Sequence, residues 1–550
     1  MLCFVDYKKS CVFVEMLSVI ALLTVAGAGA HQSTDVDVVI VGAGYAGLTS
    51  ARLLTQHNLS VMVLEASNAT GGRTKNIDVL NGMRPDVENP HIVELGGQWI
   101  GDNESQPFAY NLIVNELGFD VFAGSYTPER NGTGPPQYNV LHASNGVHNF
   151  SSLLDGFSKL PGPVQAELTK ATDALDRLAA DVNLTAPWTH SRSREFDSMT
   201  FTSWINTTVK LQESRTLLNV LCTTMIAQTP DVVSFLHILF YIRAAKGLKN
   251  LIVGEQQYRV VGGTQAPTFK MAAALGPERV RLSAPVRTVV QSAAAVNVTG
   301  GTSGGTVTAV TAGGESITAR HAIVTGVPLV TGRSIAFDPP LPFAKAQLFD
   351  SLAIGNSVKA MLVYEKPYWR ERGFTGTIFA SSPPFGQGIG GVGSSSIAME
   401  TAQITTDGTT VDAVEPLLSN CFDNTPAGGV PGVLLCFVEG ETSFQMMNFM
   451  SHDQRQRVIL EWVARHFGKE ETPVLHLVDY NWAAQPYVRG AYSAFFPPGV
   501  WSTTGRTLRE PFGSIFWAGA DYAEEGNGYI NGAIESAHRA VSAILAARQK

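Results

Sequence analysis

The chain has 550 residues and a mass of 58.9 kDa, too much for one simple hydrophobic core, so two domains or one large α/β fold are expected. Lys and Arg total 39 against 47 Asp and Glu, a formal charge of −8, which argues against a nucleic-acid binder, since no concentrated basic surface can displace phosphate counterions. Hydrophobic residues make up 45%, which excludes a largely disordered chain, while charged residues reach only 16%, so the surface needs another source of hydration.

Lys8 and Lys9 precede an apolar stretch from Met16 to Ala30. That stretch is shorter than the ~20 residues of a spanning helix and ends in Ala28-Gly29-Ala30, small residues suited to a signal-peptidase site. Residues 1–30 are therefore read as a signal peptide, with a buried N-terminal helix as the alternative. Asn-x-Ser/Thr sequons begin at Asn58, Asn68, Asn103, Asn131, Asn149, Asn183, Asn206 and Asn297. Leader and sequons together predict a secreted or lumenal (vacuolar) N-glycosylated protein, whose sugars would supply the missing hydration. No later run is long enough to span a membrane, so no stable anchor is expected. Beyond the leader lie Cys222, Cys421 and Cys436, which allow one bridge at most. Cys421–Cys436 is the natural pair, and three buried free thiols are the alternative. No Cys/His spacing suggests a metal.

The run Val36 to Val41 reads as a buried parallel strand. It enters Gly42-Ala43-Gly44-Tyr45-Ala46-Gly47, then a helical stretch to about His57, then a second apolar strand, Val61 to Leu64, ending in Glu65. Gly42 permits the tight turn, Gly44 lets a pyrophosphate approach the backbone, and Gly47 lets helix and strand pack closely. The helix N-terminus offers free N–H groups and the positive dipole end to phosphate. Glu65, about 20 residues past the first glycine, can accept hydrogen bonds from a ribose diol. Strand, turn, helix, strand and acid in this order predict a Rossmann-type dinucleotide site.

Which dinucleotide follows from a resemblance. Gly71-Gly72-Arg73 and Glu94-Leu95-Gly96-Gly97-Gln98-Trp99, taken with the preceding motif, resemble the flavin-dependent amine oxidases, the monoamine and polyamine oxidase family. Four later stretches match in order: Val260 to Gly263 followed by Val280 to Val286; Gly355 to Lys359 with Pro367-Tyr368-Trp369; Asn481-Trp482 with Gly490-Ala491-Tyr492 and Phe496 to Gly499; and Phe516 to Asp521 with Gly528 to Ala533. The resemblance implies FAD rather than NAD. It implies an interleaved α/β architecture, with FAD-domain pieces at 36–118, 259–335 and 484–550 and an α+β substrate domain from 119–258 and 336–483. By the same resemblance FAD would meet Gly42, Gly44, Ala46, Gly47, Glu65, Ala66, Gly72, Gly96, Gly97, Gln98, Trp99, Tyr529 and Ile530. Val286 would lie near the adenine, Arg73 would neutralise pyrophosphate, Trp482 would pack on the flavin, and Gly519 and Asp521 would serve phosphate and ribityl groups. Ala491 stands where many monoamine oxidases carry the flavin-linking cysteine, so FAD is expected to be non-covalent. Asp521 replaces the commoner glutamate.

The implied activity is oxidative deamination of a primary or secondary amine, with O2 reoxidation giving aldehyde or ketone, ammonia and hydrogen peroxide. Tyr492 and Tyr529 match the family's cage tyrosines, whose ring faces orient the amine without an acidic clamp. Lys359 lies in the apolar stretch SVKAMLVY, where a buried lysine is costly. In the family it holds a water against flavin N5 and assists reoxidation, so Lys359, Tyr492 and Tyr529 are the catalytic candidates. Pro161 to Asp181 and Phe201 to Gln228 have helical periodicity, and Thr229-Pro230-Asp231 starts an apolar helix that either lines the cavity or is plain core. His237 on that helix is read as a core residue. Gly300 to Gly314 is read as a turn between strands. The runner-up activities are an L-amino acid oxidase, which needs a cavity arginine such as Arg243 or Arg259, and a polyamine oxidase, which needs carboxylates. A flavoprotein without oxidase activity and a desaturase are further alternatives. The Lys246-Gly247-Leu248 region resembles the aminopolyol (fumonisin-type) amine oxidases. The partners expected are a small amine and O2, for a monomer or homodimer.

Overall fold

The computed structural model describes residues 35–80, 91–124, 138–143, 146–151, 153–252, 254–293, 305–380, 401–406, 409–414, 420–468 and 473–548. The leader, Asn131 and Asn297 lie outside the described residues. Val36–Val41 forms a strand whose centre, Val38 to Ile40, is fully buried. It pairs in parallel with Val61–Leu64 on one side and Ser316–Val324 on the other, in registers that set Val38 opposite Val61 and His321. Val280–Arg281 extends the sheet beyond Val61–Leu64, and Ile515–Trp517 pairs in parallel with Ser316–Val324. The antiparallel strands Val307–Thr311 and Val286–Gln291, then Ala336–Asp338, complete eight strands. The helices Tyr45–Gln56 and Ile530–Arg548 pack on each other against this sheet. Strands far apart in sequence thus end side by side, which places the first βα turn beside residues 325 and 519.

A second, seven-stranded sheet runs in the order His476–Asn481, Ser357–Tyr364, Gly432–Glu439, Asn420–Asp423, Phe374–Ala380, Tyr138–Ala143 and Gly146–Phe150. Ser357–Tyr364 and Gly432–Glu439 are buried at every position. Alternation along a strand puts Lys359 on the same face as Met361 and Val363, which pack against Val93 and Leu95. Lys359 is opposite Phe437 on one neighbouring strand and Tyr480 on the other, so it is interior to the sheet and not at an edge. Cys421 and Cys436 are directly opposed on adjacent strands and form a disulfide, leaving Cys222 buried and free.

Three local expectations change. Phe201 to Gln228 is two helices, Phe201–Thr208 and Gln212–Ile226, because the Glu167 carboxylate takes the amides of Lys210 and Leu211 at 2.7 and 3.0 Å where Thr207, Thr208 and Val209 already disfavour helix. The apolar helix is Phe235–Ala244, buried at all its positions but Arg243. Within 305–314, Val307–Thr311 is a strand and the turn itself is confined to about residues 312–315. No helix among the described residues is long and apolar enough to cross a membrane.

Candidate active site

One cavity of about 580 Å³ runs from the first βα turn to the face of the second sheet. At the turn, Gly47 is fixed by packing, since a Cβ there would sit 1.9 Å from the Gly42 carbonyl oxygen. Gly44 differs. A Cβ at Gly44 would meet no protein atom nearer than 3.9 Å, so the space it leaves serves something other than the protein itself. The helix that follows has no side-chain cap and no acid in its first turn, which leaves its N-terminal amides open to an anion. Glu65 closes the turn from the neighbouring strand: its carboxylate accepts from Ala43 N at 2.6 Å and from Ser67 N and Oγ at 2.8 and 2.5 Å. Gly42, Ala46, Ala66 and Val286 line the same end, Gly72 and Gly519 line it further in, and Gly47 stays behind the wall.

Arg73 lines the cavity, but its guanidinium grips Asp521 in a two-pronged pair at 2.5 and 3.0 Å and donates to the Tyr492 carbonyl at 2.8 Å. Asp521 also accepts from Ala494 N at 2.7 Å and is 3% exposed, so its carboxylate faces the protein and not the cavity. The Arg73–Asp521 pair ties the 71–73 loop to the segment carrying Tyr492, a structural task beyond the pyrophosphate and ribityl roles that the resemblance implies.

At the far end, Gly96, Gly97, Gln98 and Trp99 form one wall with Trp482, whose indole N–H donates to Leu95 O at 2.9 Å. Lys359 projects into this wall. Its ammonium donates to Gly96 O at 2.6 Å, to Glu94 O at 3.2 Å and to Gln98 Oε1, and lies 5.4 Å from the Phe437 ring centre. Burial lowers its pKa to about 7, opposed by the Glu94 carboxylate and assisted by Arg259, which pairs with Glu94 at 2.5 Å.

Tyr492 and Tyr529 line the same cavity as Lys359, and Ile530 begins the helix behind Tyr529. The Tyr492 hydroxyl donates to Glu439, while Tyr529 is coupled to Tyr241 and to Glu255. Burial pushes both cage hydroxyls well above the ordinary tyrosine range. Burial also raises the Glu255 pKa to about 8. The resemblance implies a cage without an acidic clamp, yet the Tyr492 and Tyr529 hydroxyls each have a buried carboxyl beside them. Glu255 and Glu439 could not be found from spacing, because they lie in unremarkable segments and only packing brings them to the tyrosines. Of the apolar helix, only Tyr241 reaches the cavity wall. His237 is buried among Phe240, Phe496 and Trp501, and burial lowers its pKa to about 3, so it is a neutral core ring. Arg243 is exposed, and Arg259 is consumed by Glu94 and by Thr425 O at 2.8 Å. No group of side chains among the described residues could hold a metal.

The sequence profile described as "Flavin containing amine oxidoreductase" matches residues 45–545. Putrescine oxidase of Kocuria rosea is 29% identical over 527 residues, covering 94% of this chain and 97% of that protein. Rat amine oxidase [flavin-containing] B is 27% identical over 530 residues, covering 94% and 87%. Among solved structures, putrescine oxidase bound to putrescine superposes with a TM-score of 0.77 at 27% identity, covering 93% of this chain and 99% of that one. Cyclohexylamine oxidase from Brevibacterium oxydans IH-35A has the same fold, with a TM-score of 0.76 at 24% identity and coverage of 93% and 98%.

Proposed function

The chain belongs to the family of flavin containing amine oxidoreductases, an FAD-dependent amine oxidase by that membership, and we propose that its substrate is a small primary or secondary amine without a carboxylate, oxidised to an aldehyde or ketone with release of hydrogen peroxide and of ammonia, or of a primary amine where the substrate is secondary. The convergence of Lys359, Tyr492 and Tyr529 on one buried cavity carries this reading. FAD, when bound, accepts the two electrons and the hydrogen that leave the carbon beside nitrogen. The open Gly44 cradle, the uncapped helix N-terminus and Glu65 suit its pyrophosphate and ribose. Tyr492 and Tyr529 hold the amine by their ring faces, where a cation gains from the ring quadrupole and a neutral amine is kept in line. Lys359, gripped by three acceptors, keeps a proton-carrying nitrogen at the wall where dioxygen is reduced.

A carboxylate on the substrate would need a free guanidinium. Arg259 and Arg73 are paired with acids, Arg243 faces solvent, and Arg287 lines the cavity beside Val286 and not beside Tyr492 or Tyr529, which supports an amine over an amino acid. Anaerobic mixing of the holoenzyme with a panel of alkyl-, aryl- and amino-acid amines tests this. Bleaching of the yellow absorbance by plain amines, followed by peroxide on admitting air, is expected; bleaching by amino acids alone overturns it.

FAD is held without a covalent bond. Ala491 has no thiol, and among the described cysteines Cys421 and Cys436 are bonded to each other while Cys222 is absent from the cavity wall. Acid precipitation should leave the flavin in the supernatant. The protein is a secreted or lumenal glycoprotein: all six sequon asparagines among the described residues, Asn58, Asn68, Asn103, Asn149, Asn183 and Asn206, are exposed. Treatment with an N-glycosidase should reduce its mass after expression in a eukaryotic secretory host. The chain is further divided as FAD domain 36–118, 259–335 and 484–550 and substrate domain 119–258 and 336–483, since the strands of the two sheets come almost entirely from these respective stretches.

A further inference from the structure

We propose that Glu255, acting through the Tyr529 hydroxyl, receives the proton that the substrate's ammonium must lose before oxidation; this rests on the amine reading above. An alkylamine resembles the lysine side chain, ordinarily protonated below pH ~10, so it reaches the site as a cation. Only its neutral form has the lone pair that oxidation draws on. In a cavity walled by buried aromatic rings, that proton needs a protein acceptor.

Three groups stand near enough to be considered. Lys359, brought to about 7 by burial, directs its nitrogen at Glu94 O, Gly96 O and Gln98 Oε1, so its hydrogen-bonding positions are turned to the protein wall. Glu439 is engaged by the Tyr492 hydroxyl. Glu255 stands behind the other tyrosine and faces both Tyr529 and Tyr241. It sits in the single turn Gly254–Gln256, is 1% exposed, and its Oε2 makes no hydrogen bond within the protein. The groups facing it are Tyr529, Tyr241 and Lys246, with Gln106 donating only to its backbone carbonyl. Lys246 is exposed and directs its ammonium to Glu104 O at 2.7 Å, so it does not neutralise the carboxyl directly. An uncommitted carboxyl oxygen in such a place is costly unless a ligand engages the group.

Burial holds the empty site's Glu255 protonated through much of the neutral range. A cation against Tyr529 favours the ionised carboxyl, so binding expels that proton to solvent. The substrate's N–H bond then breaks as an O–H bond forms at Tyr529, whose own hydroxyl proton passes to Glu255. The amine keeps the electron pair, and no electrons change hands in this step.

Hexyltrimethylammonium, which has neither an N–H nor a lone pair, isolates the charge effect from oxidation. Titrated calorimetrically into the holoenzyme at pH 7 in buffers of different ionisation enthalpy, it should release toward one proton per cation bound. Its affinity should rise by up to tenfold per pH unit until Glu255 ionises. Glu255→Gln should abolish both effects, and Glu255→Asp should retain them in part, with flavin content and thermal midpoint recorded for each. With hexylamine, anaerobic flavin reduction by Glu255→Gln should be slowed at least tenfold at pH 7 and should converge on wild type near pH 10. Unchanged proton release in Glu255→Gln, or its loss only in Glu439→Gln, overturns the proposal. If hexylamine reduces the wild type without cation-linked proton release, only the role of Glu255 falls. If no amine reduces the wild type, the amine reading falls with it.

Discussion

At the end proposed for adenosine the cavity is walled by backbone: the 42–47 turn, the open amides of the Tyr45–Gln56 helix, and a carboxylate, Glu65, that accepts from Ala43 N and Ser67 N while lining the cavity. At the end proposed for the amine it is walled by side chains from separate segments, Lys359 on a buried strand, Tyr492 and Tyr529 on two late loops, and Glu439 and Glu255 behind them. The first end works by leaving atoms out and the second by putting atoms in. Adding a methyl group should therefore harm one end, and removing a functional group should harm the other.

The largest effect is expected at the amine end. Lys359→Met should slow flavin reoxidation by O2 by about 10²–10³-fold, as for loss of one preorganised donor, while FAD content stays near wild type. Stopped-flow mixing of the reduced enzyme with oxygenated buffer measures this, and an unchanged rate would remove the assigned role. At the adenosine end the two glycines should separate. Gly47→Ala forces a carbon toward the Gly42 carbonyl and should cost about 3 kcal/mol of stability, the upper range for overpacking. Gly44→Ala should leave the apoprotein's thermal midpoint almost unchanged and weaken FAD. Equal destabilisation by both would mean that the Gly44 space is not reserved for a ligand.

A pH effect of intermediate size follows from the buried lysines. Burial lowers both Lys359 and Lys345 to about 7 from the ordinary 10.5. Between pH ~8 and ~9.5 the unfolded chain then binds more protons than the native one, so stability should rise with pH, by up to ~1.4 kcal/mol per unit for each lysine. Below pH 7 both states are protonated and the full burial penalty stands. Lys359→Met should lose one share of that slope in urea unfolding. Lys345, bonded to Leu508 O at 3.2 Å and stacked 4.5 Å from Trp517, belongs to neither end and should retain its own. The smallest effect is expected for Tyr492→Phe, which deletes the hydroxyl that Glu439 accepts and should cost about 1 kcal/mol in amine binding, seen as a raised KM.

The adenosine end was legible along the chain because its parts are contiguous. A buried strand, a glycine turn, a helix and a second strand ending in an acid lie within residues 36–65, and hydrogen bonds between near neighbours enforce their geometry. Lys359 was legible for a different reason: one charge in an apolar strand stands out. The partners of these residues were not legible. Arg73 and Asp521 lie 448 positions apart and neutralise each other, so that neither is free in the manner its motif suggests. The break at residues 209–211 was hidden as well, since it depends on Glu167 from another helix.

Local periodicity, turn chemistry and motif order by themselves determined the α/β class, the dinucleotide turn and the residues to watch, because these are short-range properties carried by adjacent side chains. Tertiary packing alone decided which charges are cancelled and which are kept. It set Arg259 on Glu94 and Arg73 on Asp521, and it left Glu255 with an uncommitted oxygen beside Tyr529. A charge's effect depends on its dielectric surroundings and on neighbours a few ångströms away, and those neighbours come from distant parts of the chain.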